Sequence, residues 1–326
     1  ALGVEVKFDA MGIPAFTPKV ELSTPKSETE KSPLDIIPHD YAFQLLNSAL
    51  EENGFIIWVA LDRLDESFAG FPEIEVPALR ALFRTYLDLL AFSTIRLKIF
   101  VRIDLFRKIT SERFVNLTHI NARKREIIWD EDDLFALICK RIRENWELIE
   151  VLNLKNCSDQ QLFDLLFPQK VDGGIRGANT WRWMLGRTCD GSKSVPPRNL
   201  IALTNIAKEE QLRREQRSNR LYVKGSALFE PESMRMALTR LSKERIEDTL
   251  LAEVNKDVGV LIRAFRNKKV DHNDKSIAKL FGVSILQASS FAKTLVDIGF
   301  FEQVGEYYRI PILYRNGLNI TRGKAF

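Results

Sequence analysis

Residues 55–61, FIIWVAL, form an uninterrupted apolar run that stops at Asp62, with Asp65 and Glu66 close behind. Successive side chains of a β-strand point to opposite faces, so a run this continuous leaves no face for water. It predicts a strand buried on both faces, as in the parallel sheet of an α/β protein. Open parallel sheets bind ligands beyond the carboxyl ends of their strands, which is where the three carboxylates fall. Carboxylate oxygens at that position suit a hydrated magnesium ion on a nucleotide phosphate. The same acids would also serve as the N-cap and first turn of the next helix. The motif by itself leaves both readings open.

The flanking chain carries the same rhythm. DYAFQLLNSALEENG (40–54) has helical spacing and stops at Gly54, and VPALRALFRTYLDLLAFS (76–93) is strongly helical. LKIFVRI (97–103) reads as a second buried strand. REIIWDEDDLFALICKRIRENW (125–146) reads as a short strand followed by a helix. That helix has Asp130, Glu131, Asp132 and Asp133 at its start and Lys140, Arg141 and Arg143 near its end, as the helix dipole prefers. Alternating strands and helices predict an α/β fold class. Before them, residues 1–22 alternate loosely as a hairpin, and STPKSETEKSP (23–33) is a linker by composition.

After residue 151 the strand signals vanish. Residues 158–220 hold helical patches interrupted by VDGGIRG and DGSKSVPP, ending in EEQLRREQRSNR, a solvated charged helix. The last stretch opens with the helical PESMRMALTRLSKERIEDTLLAE. DKSIAKLFG is a short helix closed by glycine, VSILQASSFAKTLVDIGF is a second, and FEQVGEYYRIPILY alternates around Gly305 as a two-stranded wing. Helix, turn, helix and hairpin is a winged-helix arrangement. The expected domains are thus 1–150, 151–222 and 223–326.

With 45% hydrophobic and 28% charged residues, a chain of 326 residues is ordinary globular material with room for two or three cores. It has no apolar run of membrane-spanning length and no signal-peptide pattern, so no membrane partner is expected. Three widely spaced cysteines, Cys139, Cys157 and Cys189, favour reduced thiols and a cytoplasmic location over a disulfide framework. His39, His119 and His272 are equally scattered, and no structural metal is expected. Tryptophans Trp58, Trp129, Trp181 and Trp183 are expected in packing roles.

The order of these features resembles a known family. VALDRLDE looks like a Walker B element, KIFVRIDLF sits where the next strand ends in a sensor, and SVPPRNLIALTNIA is similar to the second-sensor helix of a lid. With a winged helix after the lid, most of residues 36–326 resembles the bacterial P-loop ATPases of the AAA+ and STAND type. The resemblance implies part of a P-loop NTPase parallel sheet, an all-α lid and a C-terminal winged helix. It implies Asp62 as the Mg²⁺-linked carboxylate, and Glu66, or else Asp65, as the group that orients or deprotonates the attacking water. It implies Arg102 as a sensor of the γ-phosphate and Arg198 as a lid arginine pointing to the phosphates. Arg102 has an alternative role in an ion pair with Asp104, and Arg198 as an exposed first-turn residue.

One element of the family is missing. No G-x-x-x-x-G-K-[ST] loop precedes Asp62, and GRTCDGSKS (186–194) fails as a substitute because a helix-like NTWRWML precedes it and Pro196 and Pro197 come after it. That stretch is expected to be an exposed loop. Since the chain starts at Ala1, the phosphate-binding part is expected upstream, with a degenerate homologue as the other option. ATP and Mg²⁺ are then cofactors only together with that part, and the 326 residues alone are expected to be inactive.

The implied function is a nucleotide-dependent switch coupled to self-assembly or to an effector protein. The alternatives are a DNA-binding AAA+ winged-helix initiator or regulator and a catalytically dead scaffold. The second helix of the winged region offers Gln287, Ser290, Lys293 and Asp297, and the wing carries Glu302 and Glu306, together a poor surface for phosphates. Protein contact is expected there, with Phe291 and Leu295 buried beside Leu286 or Ala288. No residue is assigned to DNA. More basic character lies at Arg263, Arg266, Lys268 and Lys269 and, at the tail, at Arg315, Arg322 and Lys324, and the first group would favour nucleic acid if the fold sets it beside the wing.

Overall fold

The structure, a computed structural model, describes residues 2–8, 14–20, 38–64, 72–110, 117–173, 177–218, 220, 223, 225–250 and 256–326. The chain forms two compact units, 1–64 with 77–101, and 65–76 with 102–326. The fold class is α/β, with small sheets and a large helical share. No helix among the described residues is long and apolar enough to cross a membrane.

In the first unit, Leu2–Phe8 (β1) and Pro14–Val20 (β2) pair antiparallel, as the loose alternation predicts. Helix His39–Glu52 (α1) leads into Ile57–Leu61 (β3), and Pro72–Leu89 (α2) leads into Ile95–Ile99 (β4). Strands β3 and β4 pair in parallel, Ile57 opposite Ile95 through Leu61 opposite Ile99. Pro77, inside α2, lacks the N–H that would bond back to the preceding turn, and the boundary between the units falls at this residue.

The parallel pair forms, but the burial expected of it does not. Trp58 is 62% exposed, and Phe55, Ile56, Ile57 and Val59 are exposed as well. Covering both faces of a strand takes flanking strands and a layer on each side. A sheet of two strands supplies too little neighbouring surface. The β4 expectation also shifts, because the strand ends at Ile99 and the chain turns into helix Ile103–Thr110 (α3).

In the second unit, helices Leu117–Arg123 (α4), Glu131–Arg143 (α5), Trp146–Val151 (α6), Asp159–Leu166 (α7), Thr180–Thr188 (α8), Pro197–Arg217 (α9) and Pro231–Glu244 (α10) succeed one another. Asp130 caps α5 by accepting the Asp133 N–H at 2.8 Å, and the basic residues sit in the last turn. The strand expected at REIIW does not form. Residues 124–130 are irregular, and Ile127, Ile128 and Trp129 are exposed. An extended run becomes a strand only where a partner satisfies its backbone, and no described strand lies beside it. Trp181 and Trp183 do pack in the core, unlike Trp58 and Trp129.

A π-helical stretch, Arg245–Leu250, continues α10. Then come Lys256–Ala264 (α11), Lys269–His272 (β5), Asp274–Phe281 (α12), Ile285–Asp297 (α13), Glu302–Val304 (β6), Tyr307–Arg309 (β7), Ile312–Arg315 (α14) and Thr321–Lys324 (β8). Gly282, left-handed with φ of 66°, closes α12, and Ser284 opens α13 with a capping box. The sheet order is β6-β7-β5-β8, so the hairpin is extended by two strands that its alternation does not announce. On α13, Ala288, Ala292 and Leu295 are buried, while Phe291 is half-buried and Leu286 is exposed. Leu286 lies in the first turn, beyond the reach of the core.

One apolar core runs from Leu134 to Leu318 without a break. The loop at 189–195 is part of what joins its two ends. Gly191 is buried, and its N–H donates to the Gly299 carbonyl at 2.7 Å. A Cβ there would lie 2.2 Å from the Phe301 carbonyl oxygen. The expectation of a wholly exposed loop is therefore corrected, because glycine lets two backbones touch.

Candidate functional site

Asp62 comes directly after β3, at the carboxyl end of the parallel pair, and is exposed. The Phe100 N–H donates to the Leu61 carbonyl at 2.9 Å, which carries the pairing to the last residue before the carboxylate. The other end of the pair is tied to α1. The Thr94 N–H and Oγ1–H both donate to Asn47 Oδ1, at 3.1 and 2.8 Å, and the Ser93 hydroxyl donates to the Glu51 carboxylate. Hydrogen bonds from Ser93 and Asn47 hold Glu51 below the usual carboxylate range.

Asp62 Oδ1 accepts the N–H of Arg63 at 2.8 Å, and Arg63 has a left-handed φ of 55°. The next described helix starts at Pro72, so Asp62 caps no described helix. One exposed carboxylate at a strand end fits a magnesium ion that keeps most of its waters. It does not fit an all-protein cage, and among the described residues no cluster of three or more metal-ligating side chains occurs. Asp65 and Glu66 lie outside the described residues.

Arg102 stands at the position before α3, where its carbonyl accepts the Phe106 N–H at 2.9 Å, and it is exposed. It belongs to the second unit, three residues beyond the strand expected to present it. Arg198 is the second residue of α9, just after Pro197, and is exposed. The first turn of that helix contains no acid, so Arg198 adds positive charge to the positive end of the dipole. Asp62 and these two arginines are each placed within their own unit.

The DGSKS loop is no phosphate cradle. Asp190 Oδ1 accepts the Ser192 N–H at 2.9 Å, the Ser192 hydroxyl at 2.6 Å and the Ser194 N–H at 3.3 Å. An acid thus fills the place an anion would need, and helices flank the loop on both sides. Comparison of the chain with protein-family models, with curated proteins and with solved structures finds no match.

Proposed function

We propose that residues 38–110 carry the metal-binding end of a nucleotide-dependent switch. The observation that supports this most is a carboxylate, Asp62, at the carboxyl end of the first of two parallel strands in register. Strands that end level present their next residues on one edge of the sheet, the edge where α/β proteins hold ligands. In this reading Asp62 accepts hydrogen bonds from the waters of a magnesium ion, and the ion neutralises charge that develops between the phosphates. Glu66, or Asp65, holds the attacking water and takes its proton. Arg102 and Arg198 supply guanidinium donors to phosphate oxygens. Residues 256–326, with helix, strand, helix, helix and hairpin in order, are read as a winged helix that passes the nucleotide state to a protein partner or a second copy.

The reading requires a phosphate-cradling loop that residues 1–326 do not contain. It is therefore tested on the whole product of the gene, whether or not that is longer than residues 1–326. Asp62→Asn should abolish Mg²⁺-dependent ATP binding measured by titration calorimetry, whereas Glu66→Gln should keep binding and stop turnover. Unchanged Mg²⁺-dependent binding in Asp62→Asn would sink the proposal. Turnover by the 326-residue chain alone, lost in Glu66→Gln, would show that the loop is not needed.

A further inference from the structure

The basic tail forms β8, which pairs with β5, one strand away from the hairpin. In strand β5 Lys269 is exposed while Val270, Asp271 and His272 are buried, and the two-residue period of a strand sets Lys269 and Asp271 on one face and Val270 and His272 on the other. Opposed residues in a sheet share a face. Asp271 is opposite Arg309 on β7 and opposite Lys324 on β8, where a bulge shifts the register. Arg309 is in turn opposite Glu302 on β6, and Tyr307 stands two residues from Arg309. The outer face of the sheet therefore carries Lys269, Arg309, Lys324 and Tyr307, with Asp271 and Glu302 as the two acids on its strands, and Glu306 is exposed in the hairpin turn.

Both strand acids are occupied. Arg309 Nε donates to Asp271 at 2.8 Å, and Lys193 pairs with Glu302 at 3.4 Å. Lys269 Nζ reaches the Arg322 carbonyl at 3.4 Å, which brings Arg322 to the same edge. Arg315 donates through Nε to the Ile310 carbonyl at 2.8 Å. Burial holds Arg315 below its ordinary range, with Arg309 and Arg322 pushing the same way and Asp271 and Glu302 opposing them. Among the described residues, none of Lys269, Arg315, Arg322 and Lys324 stands within ion-pair distance of a carboxylate. Residues 256–326 hold twelve Lys and Arg against six Asp and Glu, while the whole chain carries only +4. The excess belongs to this part of the chain.

Two aromatic rings sit among these cations. Tyr307 and Phe326 have centroids 6.2 Å apart, and Lys324 Nζ lies 5.4 Å from the first and 5.2 Å from the second. Cations that track a phosphate backbone, next to rings on which bases stack, are the two parts of a single-strand binding surface. A duplex fits less well. Four strands spaced about 4.8 Å apart span roughly 14 Å between the outer two, more than a major groove of about 12 Å admits.

We propose that the outer face of the β6-β7-β5-β8 sheet binds single-stranded nucleic acid, with Lys269, Arg322 and Lys324 on the phosphates and Tyr307 under a base. This face is distinct from the exposed side of α13, and the proposal does not depend on the nucleotide switch. Single strands lose about 0.7 decade of affinity per decade of salt for each phosphate contact. Three contacts give a slope of about −2.1.

The test is fluorescence anisotropy of the 326-residue chain with a labelled oligothymidylate of about 16 nucleotides at several salt concentrations. Replacing Lys269, Arg322 and Lys324 together by Ala should weaken binding about 100-fold at 0.1 M salt and remove most of the slope. Lys324→Gln alone, which spares the fold if the triple variant does not, should cost about 5-fold. Tyr307→Leu should cost about tenfold with the slope unchanged. Gln287→Ala with Lys293→Ala on α13 should change nothing. Wild-type affinity in the Lys324→Gln and triple variants would overturn the proposal. So would a duplex of matched length, or vesicles with anionic headgroups, binding more tightly than the single strand.

Discussion

Phe265→Ala tests whether the second unit is one cooperative structure. Phe265 is fully buried at the end of α11, and its ring meets those of His272, Phe281, Phe300 and Phe301 at centroid distances of 4.9, 5.8, 5.7 and 5.1 Å. Removing such a side chain loses its transfer free energy, roughly 3 kcal/mol, and leaves a cavity whose rigid aromatic walls relax little. The expected loss is about 3–5 kcal/mol. For a unit of this size that lowers the melting temperature by roughly 6–20 °C. The useful feature is where the reporters lie. All five tryptophans fall between residues 58 and 183, and none is in residues 256–326. Trp183, buried and donating through Nε1 to Asp172 at 2.9 Å, reports on the helical part of the core. If the core is continuous from Leu134 to Leu318, urea unfolding followed by tryptophan fluorescence should move with the circular dichroism signal. A tryptophan transition left in place while the dichroism splits in two would refute the single core.

Gly191→Ala should destabilise by about 2–3 kcal/mol in the same urea assay, since its Cβ would meet the Phe301 carbonyl at 2.2 Å and the 189–195 loop must shift. A loss under about 0.5 kcal/mol would mean that the two backbones part easily. His272 gives a pH signature. Burial holds its imidazole below the ordinary 6.5, and Asp271 and the Lys269 carbonyl only partly offset this. The folded state therefore binds fewer protons than the unfolded one as pH falls through 6.5. The neutral form's advantage, complete above that value, should shrink down to the folded pKa. In thermal melts between pH 7 and 5, His272→Gln should flatten this dependence, and equal slopes in both proteins would contradict the assignment.

What the sequence determined by itself was local. The apolar run ending at Asp62, the acids and bases at opposite ends of α5, glycine after α12 and the alternation around Gly305 each specify an element through propensity, capping or turn geometry, and those elements are present. That the DGSKS loop cannot cradle phosphate was also legible from its flanks. Tertiary structure decided everything that depends on partners. FIIWVAL reads as a doubly buried strand, yet among the described residues it pairs with a single neighbour and stays exposed, and IIW at 127–129 has no described strand to pair with. A hydrophobic pattern encodes a face that water disfavours, not the layer that covers it. The basic residues at 266–269 and 315–324 were visible as charges some fifty positions apart. Only the pairing of β5 with both β7 and β8 places Lys269, Arg309 and Lys324 on one face, because side-chain direction in a sheet is fixed by register, and register here is set by long-range contacts.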